Sequence, residues 1–198
     1  MDKRIRIYMT GVGGQGTLTA TTLLARTALF AGVDVVAGEV HGMAQRGGVV
    51  ESVVLLGGWK APKLDHGEAD IVLGFEPLET LRGLPYLRAG GVVFSNEDML
   101  PPVSVSMGKE NYPSLAVIHE KVQAVAGKSW FLHCRELGQR AGSIQSGNSA
   151  LLGALCASGL LPFDETVLDA AMRKFLPAKL VDVNLKAMGF GAAAVRNA

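Results

Sequence analysis

The chain of 198 residues contains only two cysteines, Cys134 and Cys156, and no CxxC pair. That scarcity argues against an iron–sulfur cluster or a structural zinc ligated by this chain alone. The two thiols read as reduced residues at core or half-buried positions. Charge of one sign is also missing: 19 Lys and Arg against 18 Asp and Glu leave a net charge of +1. There is thus no electrostatic footprint for nucleic acid, and the short basic clusters Lys3-Arg4-Arg6 and Arg173-Lys174 read as solvated faces. Long hydrophobic runs are absent too. The longest, Leu151 to Leu161, is too short to cross a bilayer, so no membrane contact is expected. Lys3, Arg4 and Arg6 interrupt the first apolar run, which removes a secretory leader from the reading and leaves the cytoplasm as the expected location.

What is present fits a globular α/β protein. Apolar residues make up 48% and charged residues 19% of the chain. At this length folding buries roughly 70% of the unfolded surface, enough for a core without covalent staples. Runs of strand length fall at Arg4–Met9, Asp34–Ala37, Val49–Leu56, Ile71–Gly74, Val92–Ser95 and Ser129–His133. Helical patterns fall at Thr17–Ala31, Leu78–Leu84, Ser114–Ala126, Cys134–Ala141, Asn148–Ser158, Asp164–Phe175 and Lys179–Met188. The alternation predicts a doubly wound, mostly parallel sheet with helices on both faces and a helical C-terminal part. The expected organisation is a single domain over residues 1–198, with an α/β core at 1–142 and a helical extension at 143–198. Asp164 is the expected cap of its helix. Pro101-Pro102 breaks any helix, so residues 96–112 read as a long loop of the kind that serves function or covers an interface.

The first turn carries the strongest chemical signal. After the apolar run come Gly11, Gly13, Gly14, Gln15, Gly16 and Thr17, and a helical pattern follows at once. Gly11, Gly13 and Gly16 satisfy G-x-G-x-x-G between a strand and a helix, where backbone N–H groups can face a phosphate. Glu39 lies 23 positions after Gly16. That is where a dinucleotide site keeps its ribose-binding carboxylate, so an independent NAD(P)-dependent Rossmann-type dehydrogenase is one reading. The extra Gly14 and the polar Gln15 count against it, and no separate catalytic domain is visible. Close strand–helix packing explains the glycines equally well.

A second loop follows directly: His41, Gly42, Met43, Ala44, Gln45, Arg46, Gly47 and Gly48. Its glycines permit close approach of a ligand or another chain. His41 offers a titratable ring, Gln45 an amide, and Arg46 a cation able to grip a phosphate or carboxylate in bidentate fashion. No residue stands out as catalytic and no metal-ligand set is visible.

Together GVGGQGTLTATTLLA (11–25) and EVHGMAQRGGVVESVVLL (39–56) resemble the gamma-type subunit of the 2-oxoacid:ferredoxin oxidoreductases, closest to the branch that acts on indolepyruvate. The stretches EADIVLGFEPLETLRGLPYLRAGGVVFSN (68–96), GNSALLGALCASGLLPF (147–163) and VDVNLKAMGFG (181–191) extend the likeness, in order, over nearly the whole chain. Gly147-Asn148-Ser149 departs from it, standing where related chains often carry bulkier residues. The resemblance implies a small subunit in the oxidative decarboxylation of a 2-oxoacid to an acyl-CoA, with electrons passed to ferredoxin. It implies that this chain binds no cofactor alone and is inactive alone. Thiamine diphosphate, magnesium and iron–sulfur clusters are then expected in a large catalytic subunit with thiamine and ferredoxin-type domains, in an α2β2 assembly. The absence of a GDG…N segment agrees with that division of labour, since such cofactors carry the hard chemistry. Coenzyme A is the co-substrate this chain is expected to touch, through Gly11, Gly13, Gly14, Gln15, Gly16, Thr17, His41, Gln45, Arg46 and Gly47. A homodimer is the alternative assembly for the isolated chain.

Overall fold

Residues 3–41, 48–101, 103–108 and 111–197 are described by a computed structural model. The chain runs β1 (Ile5–Val12), α1 (Thr17–Phe30), β2 (Val35–His41), β3 (Val49–Leu56), β4 (Ala69–Gly74), α2 (Pro77–Gly83) and β5 (Leu87–Asn96). It continues through α3 (Val103–Ser106), α4 (Leu115–Val125), β6 (Lys128–Leu132), α5 (Cys134–Ala141), α6 (Gly147–Ala157), α7 (Glu165–Phe175) and α8 (Ala178–Arg196). Short 3₁₀ turns precede β5 and α6.

The strands form one sheet in the order β2-β3-β1-β4-β5-β6. β1, β4, β5 and β6 pair in parallel. β3 runs antiparallel to both of its neighbours, β1 and β2. The expectation of a mostly parallel sheet therefore holds, with one inverted strand inserted. The reason is the connection: a parallel crossover takes a dozen or more residues, and only seven separate His41 from Val49.

Alternation along the strands sorts the core onto two faces. Ile7 and Met9 of β1, Ile71 and Leu73 of β4 and Phe94 of β5 share one cluster with Leu24 of α1, Leu152 and Leu155 of α6, Met172 of α7 and Met188 of α8. Tyr8, Val72 and Val93 point the opposite way and meet Ile118 and Val122 of α4. Period-2 side-chain geometry makes such a division unavoidable in a sheet covered on both sides.

Local signals end the helices as the sequence suggests. Asp164 caps α7 by accepting hydrogen bonds from the backbone N–H groups of Thr166 and Val167. α8 runs to Arg196, well past Met188. Gly189 and Gly191 weaken the helical pattern there, yet Gly191 is what lets α8 lie against α6. A Cβ at Gly191 would overlap the Ala150 carbonyl, and one at Gly153 would overlap the Met188 carbonyl.

Candidate functional site at the carboxyl edge of the sheet

The glycine turn is a clamp closed on itself. Gln15 Oε1 accepts from the Val12 backbone N–H at 2.8 Å, and Gln15 Nε2 donates to the Phe75 carbonyl at 2.9 Å. One amide side chain thus ties the end of β1 to the end of β4. Asn96, at the end of β5, donates from Nδ2 to the same Phe75 carbonyl at 2.9 Å. Its Oδ1 accepts from the N–H groups of Asp98 and Cys134 at 3.1 and 3.2 Å. The carboxyl ends of β1, β4 and β5, and the first turn of α5, are laced together by two amides sharing one carbonyl.

The remaining turn residues pack rather than project. Gly13 N–H donates to the Gly48 carbonyl at 2.8 Å, which joins the two glycine-rich loops. Gly11 and Thr17 are buried, and a Cβ on Gly11 would stand 2.7 Å from Thr17 Oγ1. Gly16 caps α1 at φ 81°, a left-handed conformation that favours glycine. Asn148 Nδ2 lies against it and reaches the Gly16 carbonyl at 3.4 Å.

Beside this lacing opens a cavity of about 560 Å³, within the range of small-molecule sites. Of the turn residues anticipated from sequence, Gly14, Gln15 and Gly16 line it; Gly11, Gly13 and Thr17 do not. His41 closes β2, and Gln45, Arg46 and Gly47 lie outside the described residues. Sequence reasoning did not anticipate the opposite wall, which comes from Asn96, Asp98, Arg135, the segment 143–149, and Leu180 and Asn184 of α8. An amide ending an apolar strand, Ser95-Asn96, and the Gly147-Asn148-Ser149 departure were the available signals. Cys134 also lines the cavity, but burial pushes its thiol well above the ordinary range, so it is no thiolate nucleophile. Among the described residues no group of three His, Cys, Asp or Glu is placed to hold a metal.

Behind the lacing, on the α4 face, a polar cluster positions the long loop after β5. Glu76 is fully buried and caps α2 by accepting from the Glu79 N–H at 2.9 Å. Its other oxygen accepts from Tyr112 Oη at 2.5 Å and the Leu100 N–H at 3.3 Å. One carboxylate therefore pins both ends of that loop. Burial raises the Glu76 pKa, and these hydrogen bonds oppose the rise. Burial also pushes Glu79 up to about 7, against the lowering pull of Arg82.

A family model described as pyruvate ferredoxin/flavodoxin oxidoreductase matches residues 6–194. The chain belongs to this family. It is 42% identical to the indolepyruvate oxidoreductase subunit IorB of Thermococcus kodakarensis, over 98% of this chain and 97% of that protein. It is 43% identical to the same-named subunit of Pyrococcus horikoshii over the same shares. The keto/oxoacid ferredoxin oxidoreductase gamma subunit of Geobacter sulfurreducens superposes with a TM-score of 0.71 at 21% identity, covering 98% of this chain and 99% of that one. A 2-oxoglutarate:ferredoxin oxidoreductase of Magnetococcus marinus, with 2-oxoglutarate, coenzyme A and succinyl-CoA bound, gives 0.71 at 17% identity. All of this chain aligns with 32% of that longer one, so the same fold also occurs inside a larger polypeptide.

The strand order gives the dehydrogenase reading no support. In a dinucleotide fold the acidic residue ends a strand adjacent to β1. Here β3 stands between, and Glu39 pairs with Ser52 across it. Glu39 is thus two strand spacings, roughly 9–10 Å, from β1.

Proposed function

We propose that this chain is the small subunit of an arylpyruvate:ferredoxin oxidoreductase, with indolepyruvate the reference substrate. The relatives' names supply the substrate class, and the lacing of the carboxyl edge carries the role. Gln15 and Asn96 spend their amides on backbone groups, which makes this edge a rigid, preformed surface. Such a surface suits a buttress for a partner's active site, where fixed geometry counts for more than extra reactive groups. The large subunit supplies the thiamine diphosphate, magnesium and iron–sulfur clusters, in an α2β2 assembly. Oxidative decarboxylation there yields an acyl group, carbon dioxide and electrons for ferredoxin, and coenzyme A takes the acyl group. In this reading the glycine turn and the loop bearing Arg46 help to hold the phosphates or pantetheine arm of coenzyme A. The hydrogen bond from the Gly13 N–H to the Gly48 carbonyl supports it, because Gly48 follows that loop directly in the sequence.

The test is reconstitution. The isolated chain should be colourless and inactive, and co-expression with the large subunit should give a brown complex that reduces ferredoxin with indolepyruvate and coenzyme A. Activity of the isolated chain, or micromolar NAD binding by it, defeats the reading. Arg46→Ala should raise the KM for coenzyme A in the complex without weakening assembly; an unchanged KM removes the coenzyme contact while leaving the subunit role intact.

A further inference from the structure

The sheet has two edges, and they are built differently. β6 is five residues long and carries Lys128, two of the devices that keep an edge strand from pairing. β2 is seven residues long, VVAGEVH, and contains neither proline nor lysine. Among the described residues only β3 pairs with it. The backbone N–H and C=O groups on its other side therefore form a row shaped to receive one more strand.

A helix stripe runs beside that row. α1 packs over β2 and β3. Arg26 and Phe30, on one flank of α1, meet Phe175 of α7. On the flank turned away from α7, Leu18, Thr22, Ala25 and Leu29 recur at helical spacing. Thr22 and Leu29 are exposed, Leu29 at 63%, and Leu18 and Ala25 are half-buried. This outer flank lacks the cover that α7 gives the inner one. The stripe spans about 16 Å and the strand about 20 Å, so the two are matched in length.

We propose that a second copy of the chain docks on this edge, β2 against β2, antiparallel about a twofold axis at Gly38. That register pairs all seven residues of the strand and sets Glu39, its only carboxylate, across from Ala37 of the second copy. Sliding the strands until Glu39 sits on the axis would set that carboxylate against itself and shorten the pairing. The axis stands perpendicular to the sheet, so both α1 helices lie on the same face and the stripe meets its own copy. Strand and stripe are then self-complementary together, as a twofold interface requires. The two six-stranded sheets fuse into one, and their carboxyl edges point in opposite directions. Each carboxyl edge stays open to a large subunit, so this contact is compatible with the assembly proposed above without resting on it.

Sedimentation velocity of the full chain over a wide range of concentration tests this. A monomer–dimer equilibrium is expected, with amide exchange in β2 slowing as the dimer fills. Leu29→Arg should raise the dissociation constant roughly hundredfold, because it brings a charge into the stripe twice, once from each copy. Ala37→Glu should raise it roughly tenfold by opposing Glu39, whereas Ala37→Lys at the same position should lower it by pairing with Glu39. Both side chains are exposed, so each variant should keep the parent's circular dichroism. A monomer at every concentration, a dimer indifferent to Leu29→Arg, or equal effects of Ala37→Glu and Ala37→Lys overturns the proposal. Protection of β2 that appears only on adding the large subunit also overturns it and assigns the edge to that partner. Ferredoxin reduction by the reconstituted complex is read separately, so this proposal and the subunit role fail independently.

Discussion

On the α1 side of the sheet, four helices meet the strands almost entirely through carbon. Ile7, Met9, Leu73 and Phe94 from the strands lock with Leu24, Leu152, Leu155, Met172 and Met188. On the α4 side, the same strands face a smaller apolar cluster flanked by buried ionisable groups. Tyr8 donates to Glu51, Glu76 holds Tyr112 and Leu100, and Glu79 pairs with Arg82. The first face supplies stability that is indifferent to pH. The second spends part of that stability on fixing a loop, because buried carboxylates cost free energy unless each oxygen is satisfied. Glu79 Oε2 is buried without a hydrogen-bond partner among the described residues, so the compensation there is incomplete.

The contrast can be broken first at its strongest point. Gly191→Val should destabilise the protein by about 4 kcal/mol or more, because the new side chain meets helix backbone that cannot yield. Urea denaturation measures it, and a loss below about 1 kcal/mol would mean that α8 can slide on α6. Leu155→Ala, in the same apolar face, should cost about 2–5 kcal/mol, equally at acid and neutral pH. Gln15→Ala should cost about 1–2 kcal/mol by leaving the Val12 N–H without its acceptor. In the reconstituted complex it should lower turnover more than it lowers the melting temperature; parallel losses would make the lacing merely structural.

The smallest effect belongs to the polar face and is read as a slope. Burial raises Glu79 from 4.5 to about 7, so between these values the folded state holds a proton that the unfolded state has lost. Stability from this group is therefore complete below the lower value and fades as pH rises through the upper one. Glu79→Gln keeps a neutral side chain, so its melting temperature should fall less than that of the parent between about pH 5 and 8. Parallel melting curves across that range would show that Arg82 keeps Glu79 ionised throughout.

Much of the fold was legible in the chain. Each of the six apolar runs became a strand, and each of the seven helical patterns a helix, because period-2 and period-3.6 hydropathy are local properties. The direction of β3 was not legible in hydropathy, since a strand covered on both faces reads the same either way round. Only the shortness of the 42–48 connection carried that information. The short helix α3 hid inside the loop after Pro101-Pro102 for want of any periodic pattern. The site was half legible. Glycines announced the turn, but whether Gln15 served a ligand or the backbone depended on Phe75, sixty residues away. Asn96, Arg135 and Asn148 come together only through tertiary packing, and no spacing in the sequence encodes that.

The inverted strand also shapes how the chain reaches this structure. β2 and β3 are joined by seven residues with no helix between them and β3 pairs with β1, whereas β5 and β6 each follow a helical crossover. Short-range antiparallel pairing closes smaller loops and so forms sooner. The N-terminal third should then be the first piece of sheet to persist during refolding, and the last three helices its late cover. Pulse-labelled amide exchange would show this as protection of Val50–Leu56 before Val92–Asn96; the opposite order would place the nucleus in the parallel half. The carboxyl-edge surface, which needs β1, β4, β5 and α5 together, is then completed only after the parallel half has joined, so a partner meets it on a chain that is already nearly folded.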